Sequence, residues 1–294
     1  MYYRRKILLS LLQVFNNELD KISLQKLLML FSKLQSRPDY HFVPYKFGCY
    51  SFQADADLST MVKYRQVEEA GKKWLKTDKT DYLPEIKETD RKALRSLKSL
   101  YAGKTKEELI RITYLQYPYF VLNSTISHNI LNEAEYQAVE MVRPSFSNTV
   151  LFTIGYEGVS LEEYLNKLII NGIKLLCDVR KNSLSMKYGF SKSQLKHACE
   201  GVGIKYVHIP DLGIESDKRQ ELHSQSDYDV LFRHYRNDTL TRTRPQQEYL
   251  LELLKENQRI ALTCFEANIC QCHRKHLAEA VTKLPGFNFE LKHI

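Results

Sequence analysis

Apolar residues in the first part of the chain recur at spacings of three and four. Ile7, Leu8, Leu11, Leu12 and Phe15 predict a helix over residues 2–19. Leu24, Leu27, Leu28, Phe31 and Leu34 form one face of a second helix over 24–34, for which Ser23 is the expected N-cap. The aromatic stretch 40–50 is broken by Pro44 and Gly48, and reads as a loop or short extended segment. Helical periodicity returns over about 56–69 and again between Thr89 and Glu140. These patterns predict a mainly α-helical domain over residues 1–143, with the leucine and aromatic stripes as its core.

The pattern changes after the polar, Pro144-containing stretch 143–149. Short β-branched and apolar runs at 150–154, 173–179, 204–209, 259–264 and 287–294 predict strands. Helical segments at 161–170, 191–200, 246–256 and 272–283 separate most of them. Strands alternating with helices of this length predict an α/β domain over 150–294, its mostly parallel sheet flanked by helices.

Composition narrows the function classes. The 294 residues are 43% hydrophobic and 27% charged, which suits two globular domains and excludes a disordered tail or a disulfide miniprotein. No apolar run approaches the roughly 20 residues of a membrane span, and the run 7–12 is too short for a secretory signal. The expected location is the cytoplasm, with no membrane partner and with the six cysteines reduced. The net charge is +8; from Leu151 onward 20 basic residues face 18 acidic ones, so the first half carries most of the excess. Such a balance permits contact with phosphates or an acidic partner without the dense basic stripe of a dedicated nucleic-acid binder.

Candidate chemistry gathers where the predicted strands end. Gly155-Tyr156-Glu157-Gly158 follows the first, Asp178-Val179-Arg180 the second, His208-Ile209-Pro210 the third and Cys264-Phe265-Glu266 the fourth. Ligands of open parallel sheets bind outside the carboxyl ends of the strands. Asp178 and Glu266 are the expected acid/base pair, Arg180 and Arg274 the phosphate or anion ligands, and His208 and His273 the proton carriers. Each alone reads equally as structure, Asp178 with Arg180 as a buried ion pair and His208 as a core histidine. The densest stretch runs from Cys264 to Arg274. A metal site of Cys270, Cys272 and His273 lacks the usual ligand spacing, and no metal site is assigned. The Cys-to-Arg spacing does not fit a phosphatase loop, and there is no Cys-x-x-Cys pair for redox chemistry. A third arrangement puts Cys272-His273-Arg274 in the first turn of a helix, where the N-terminus and Arg274 would hold an anion. Two nearby carboxylates should keep Cys272 an ordinary protonated thiol.

Two resemblances follow. The segments Lys21-Ile-Ser-Leu-Gln-Lys-Leu-Leu-Met-Leu30, Phe47-Gly-Cys-Tyr-Ser51 and Asp57-Leu58 resemble the Panacea-type, SocA-like antitoxin domain. That resemblance implies a helical module that binds a protein partner. Thr153-Ile-Gly-Tyr-Glu-Gly158, Leu176-Cys-Asp-Val-Arg180, Gly189-Phe-Ser191, Gly203-Ile-Lys-Tyr-Val-His-Ile-Pro210, Cys264-Phe-Glu266 and Cys272-His-Arg274 resemble, in order, the domain of unknown function 488 family. The family pattern falls on Gly155, Tyr156, Asp178, Arg180, His208, Cys264, Glu266, Cys272, His273 and Arg274. It implies a catalytic role for Tyr156 and supporting ones for Gly155, Cys264 and Cys272. Asn182-Ser183 stands where the family commonly has proline, and Cys270 is an extra thiol. The expected function is processing of a nucleotide or nucleic acid, as in phage defence. The alternative is a non-catalytic, antitoxin-like regulator that senses an anionic ligand. No cofactor is indicated.

Overall fold

Two asparagines end the first helix early. The computed structural model describes residues 1–215 and 224–294, and the chain divides into two units, Met1–Arg143 and Pro144–Ile294. In the first unit α1 is Tyr3–Val14. Asn16 and Asn17 then take φ of 66° and 63°, a left-handed conformation that asparagine tolerates, and the chain enters β1 (Glu18–Asp20). The second helix, α2 (Lys21–Ser32), starts ahead of the expected cap. Asp20 does the capping, its Oδ1 accepting from the N–H groups of Ile22 and Ser23 at 2.9 and 3.3 Å. The aromatic stretch forms an antiparallel hairpin of β2 (Val43–Tyr45) and β3 (Gly48–Tyr50). Ser51 caps α3 (Phe52–Lys63), and Arg65 with φ 56° stops it short of residue 69.

The helical pattern overlooks β4 (Val67–Ala70) and β5 (Lys73–Lys76), which join β1 in an antiparallel sheet of order β1-β5-β4. Helices α4 (Glu88–Tyr101), α5 (Lys106–Gln116), α6 (Ser127–Ile130) and α7 (Glu133–Met141) follow. The larger core of this unit joins α1 and α2 to Leu58, Trp74, Leu94 and Leu97.

Among the described residues of the second unit every strand is parallel. β6 (Val150–Gly155), β7 (Leu175–Asp178), β8 (Lys205–His208), β9 (Arg259–Cys264) and β10 (Glu290–His293) are ordered β10-β6-β9-β7-β8. Every residue of β6 and β9 is buried, which accounts for their mostly apolar sequences. Between the strands lie α8 (Leu161–Ile170), α9 (Lys192–Gly201), α10 (Gln225–His234), α11 (Leu240–Arg242), α12 (Arg244–Asn257) and α13 (His273–Thr282). Ser160 and Glu163 form a reciprocal cap at the start of α8. One core packs Leu151, Cys177, Ile260 and Leu262 of the sheet with Leu250 and Leu254 of α12 and Leu277 and Val281 of α13. Among the described residues no helix is long and apolar enough to cross a membrane.

Candidate functional site

Strand register sets the strand-end residues side by side. Gly155 pairs with Cys264 across β6 and β9, and Asp178 pairs with Thr263 on β9 and with His208 on β8. The chemistry-bearing positions thus form a row across four adjacent strands, at the carboxyl edge where the chain turns toward α8, α9 and α13.

Asp178 is the centre of the first network. It is 0% exposed, and a buried carboxylate needs donors on both oxygens. Its Oδ1 accepts from the backbone N–H and Nε of Arg180 at 3.1 and 2.8 Å; its Oδ2 accepts from Nη2 of Arg180 at 2.5 Å and the Tyr206 hydroxyl at 2.6 Å. Nη1 of Arg180 donates to the Tyr156 hydroxyl at 2.7 Å and the Phe190 carbonyl at 2.9 Å. Burial opposes the Arg180 charge, but the hydrogen bonds and charge of Asp178 outweigh it and raise its pKa. Tyr156 stacks on Phe190 at 4.3 Å, and burial raises its phenol pKa despite Arg180. Half-buried His208 brings its Nε2 to 2.9 Å from the Arg180 carbonyl.

A second network surrounds Cys264. Its thiol lies 3.2 Å from Oε2 of the half-buried Glu266, as donor, and 3.6 Å from Nδ1 of His273. The other ring nitrogen of His273, Nε2, is 3.1 Å from the Val179 carbonyl, between Asp178 and Arg180. A carbonyl accepts only, so Nε2 of His273 carries a proton, and Nδ1 faces the Cys264 thiol. Cys272, 0% exposed, completes a group in which the Sγ atoms of both cysteines and a nitrogen of His273 all lie within 4.8 Å of one another. Burial, then Cys264, pushes the Cys272 thiol well up, with Glu266 a lesser cause and Arg274 opposing.

Arg274 is turned inward. Its Nη1 and Nη2 donate to the carbonyls of Glu266 and Ala267 at 2.5 and 3.2 Å, clamping the loop after β9. Nε of Arg274 is buried and has no hydrogen-bond partner among the described residues. Gly155 permits this closeness, since a Cβ there would stand 2.0 Å from the Glu266 carbonyl oxygen. Backbone N–H groups of Tyr156 and Glu157 donate to the Phe265 carbonyl, tying the two loops together.

The structure therefore brings the expected residues to one edge in two networks that meet at Val179. Asp178 is bound to Arg180 and Tyr206, and Glu266 to Cys264. Both arginines are engaged inside the protein. Cys270, considered in the sequence as a metal ligand, is exposed, and Cys264 stands with Cys272 and His273. Tyr206 was not singled out in the sequence, although it lies two residues before His208 on the same strand face. Lys187 was also passed over; its Nζ donates to the Tyr156 carbonyl at 2.6 Å, and burial lowers its pKa. Around this edge Lys181, Leu184, Met186, Tyr188 and Phe265 are exposed.

The first unit holds a separate cavity of about 420 Å³, lined by residues including Lys26, Tyr45, Phe47, Tyr50 and Trp74. Lys26 is 1% exposed and donates to the Cys49 carbonyl at 3.0 Å. Its place between Leu24 and Leu27-Leu28 of α2 is the signal available in the sequence.

Residues 160–281 match the family model described as Domain of unknown function DUF488. The matched region begins just before α8 and ends within α13. It includes Asp178, Arg180, His208, Cys264, Glu266, Cys272, His273 and Arg274, and leaves Gly155 and Tyr156 outside. No curated protein and no solved structure matches the chain.

Proposed function

We propose that the second unit processes a nucleotide or nucleic acid at the carboxyl edge of its sheet, with Glu266 as the acid/base group. The observation that carries this reading is the composition of the rim. Half-buried Glu266 adjoins Phe265, which is 43% exposed, and Phe265 meets Tyr156 edge-on at 5.3 Å beside Lys187. An exposed aromatic ring with nearby lysines suits a base and its phosphate. In this reading Asp178 and Arg180 are positioning residues, because their charges satisfy one another, and Lys181 and Lys187 meet the phosphates. His208, at the end of β8, is the second proton carrier. A place in phage defence rests on the family resemblance alone.

The test is fluorescence anisotropy with labelled single-stranded oligonucleotides. Base stacking is worth about 1–3 kcal/mol, so Phe265→Ala should weaken binding roughly 5- to 150-fold. Lys187→Gln should flatten the salt dependence by about one phosphate contact. Failure of every oligonucleotide and mononucleotide to bind would overturn the reading.

A second reading, a regulator that binds an anionic ligand or a protein partner, is favoured by the cavity of the first unit. Lys26 lines it with a buried amine held by the Cys49 carbonyl, and aromatic rings wall it. The resemblance to antitoxin domains agrees with it. Trp74 lines this cavity, so its fluorescence should change when an aromatic carboxylate probe binds, and the change should vanish in Lys26→Met.

A further inference from the structure

We propose that Cys264, Cys272 and His273 form a binding site for a zinc-type divalent ion, its fourth position left to water. Tetrahedral zinc with Zn–S of about 2.3 Å and Zn–N of about 2.0–2.1 Å sets its ligand atoms roughly 3.5–3.8 Å apart. Sγ of Cys264 and Nδ1 of His273 are 3.6 Å apart, and the three ligand atoms all lie within 4.8 Å of one another. An ion can enter this triangle with little side-chain movement.

The histidine carries an independent sign of the same purpose. A metal-binding imidazole needs a neutral ring whose free lone pair faces the ion, and its other N–H is normally held by a carbonyl or carboxylate. The Val179 carbonyl holds Nε2 of His273 at 3.1 Å, and Nδ1 faces Cys264. The elements are rigid: Cys264 ends the wholly buried β9, while Cys272 and His273 open α13. Two sulfurs and one imidazole select a borderline-soft ion over magnesium or calcium. Glu266 Oε2, 3.2 Å from Sγ of Cys264, stays outside the ligand set, beside the ion's fourth position. Binding is balanced by proton release: the ion displaces one proton from each thiol, and both thiolates bond to it without any change in oxidation state. Affinity therefore falls as pH falls.

This inference goes beyond the proposed function and stands whether or not a nucleotide is turned over. The test is cobalt(II) titration of the full chain, stripped with chelator under reducing conditions. One cobalt per chain should bind with an intense thiolate-to-cobalt charge-transfer band and the visible bands of a tetrahedral site, and zinc should displace it. Cys264→Ser, Cys272→Ser and His273→Gln should each weaken binding by at least about tenfold, the lower end of the losses seen even for outer partners. Cys270→Ser should bind as wild type. His273→Cys keeps a ligand at that position and should retain the tetrahedral bands, which separates lost coordination from misfolding. A reduced chain that takes up no cobalt, or bands that survive Cys264→Ser and disappear in Cys270→Ser, would overturn the site. So would a Cys264–Cys272 disulfide forming in air in a chain that binds no cobalt when reduced, which would make the two thiols a redox pair.

Discussion

Replacing Arg180 with methionine removes the charge that keeps Asp178 in the protein interior. The carboxylate is 0% exposed and the guanidinium 5%, so solvent does little to screen the pair. Arg180→Met deletes the side-chain bonds to Asp178 at 2.8 and 2.5 Å, and those to Tyr156 and Phe190 at 2.7 and 2.9 Å. Asp178 keeps the backbone N–H of residue 180 and the Tyr206 hydroxyl, too few to settle a full charge. Removing one partner of a buried pair costs about 3–5 kcal/mol. For a unit of this size that lowers Tm by roughly 6–20 °C. The only tryptophan, Trp74, lies in the other unit and will not report the change. Hydrogen exchange followed by mass spectrometry can, through peptides covering β7 and β9. If those amides exchange by opening of the whole second unit, their rates should rise about 100-fold to several thousand-fold, at 1.36 kcal/mol per decade. Asp178→Asn in the same chain removes the stranded charge and should recover much of the loss. A rise below about fivefold in Arg180→Met would show that water reaches the pair and that burial does not isolate its charges.

Gly155→Ala would put a Cβ 2.0 Å from the Glu266 carbonyl and 3.1 Å from Nη2 of Arg274. It should cost about 1–3 kcal/mol, read as increased exchange in the loop after β9; an unchanged loop would contradict the close approach. Cys270 is exposed while the other cysteines are buried, so iodoacetamide should add one label to the native reduced chain. Fast labelling of Cys264 or Cys272 would refute their enclosure. Burial holds the folded pKa of Lys26 below its ordinary 10.5. The unfolded chain then binds more protons between those two values, so stability rises with pH across that window, and the penalty is full below the folded pKa. Lys26→Met should flatten this rise in urea titrations followed by Trp74 fluorescence, and parallel curves for the two proteins would contradict it.

Where hydrophobic period and a stop signal coincide, the elements could be read from the chain itself. Leu161–Ile170 and Arg259–Cys264 match the elements expected from the sequence residue for residue; in the structure Ser160 caps the first and every residue of the second is buried. The start of α2 was misjudged because Asp20 and Ser23 are both good caps, and the apolar period alone favoured the nearer one. β4 and β5 escaped notice because their stretch is rich in Glu and Lys and buries little beyond Val67 and Trp74. It therefore resembles a polar helix end more than an alternating strand.

At the sheet edge, the placement of Gly155, Asp178, His208 and Cys264 followed from each ending a strand of a parallel sheet. How their charges are spent did not, because it depends on loop paths. Arg180 curls back two residues to Asp178, and Arg274 reaches carbonyls seven and eight residues earlier. The grouping of Cys264 with Cys272 and His273 was hidden for a similar reason. Its ligands come from a strand end and a helix start, so their separation reflects the loop between and follows no compact spacing rule.

The most direct measurement is product analysis by liquid chromatography and mass spectrometry. The full chain would be incubated with a panel of mononucleotides, dinucleotides and short single strands. The account predicts a new product from at least one of them. Glu266→Gln should slow its formation by about 10²–10⁴-fold, the usual worth of a positioned acid/base group, while Cys270→Ser leaves the rate unchanged. A product formed as fast by Glu266→Gln as by the wild-type chain would contradict the assignment of Glu266. A panel that binds at this edge and yields no product would contradict catalysis itself.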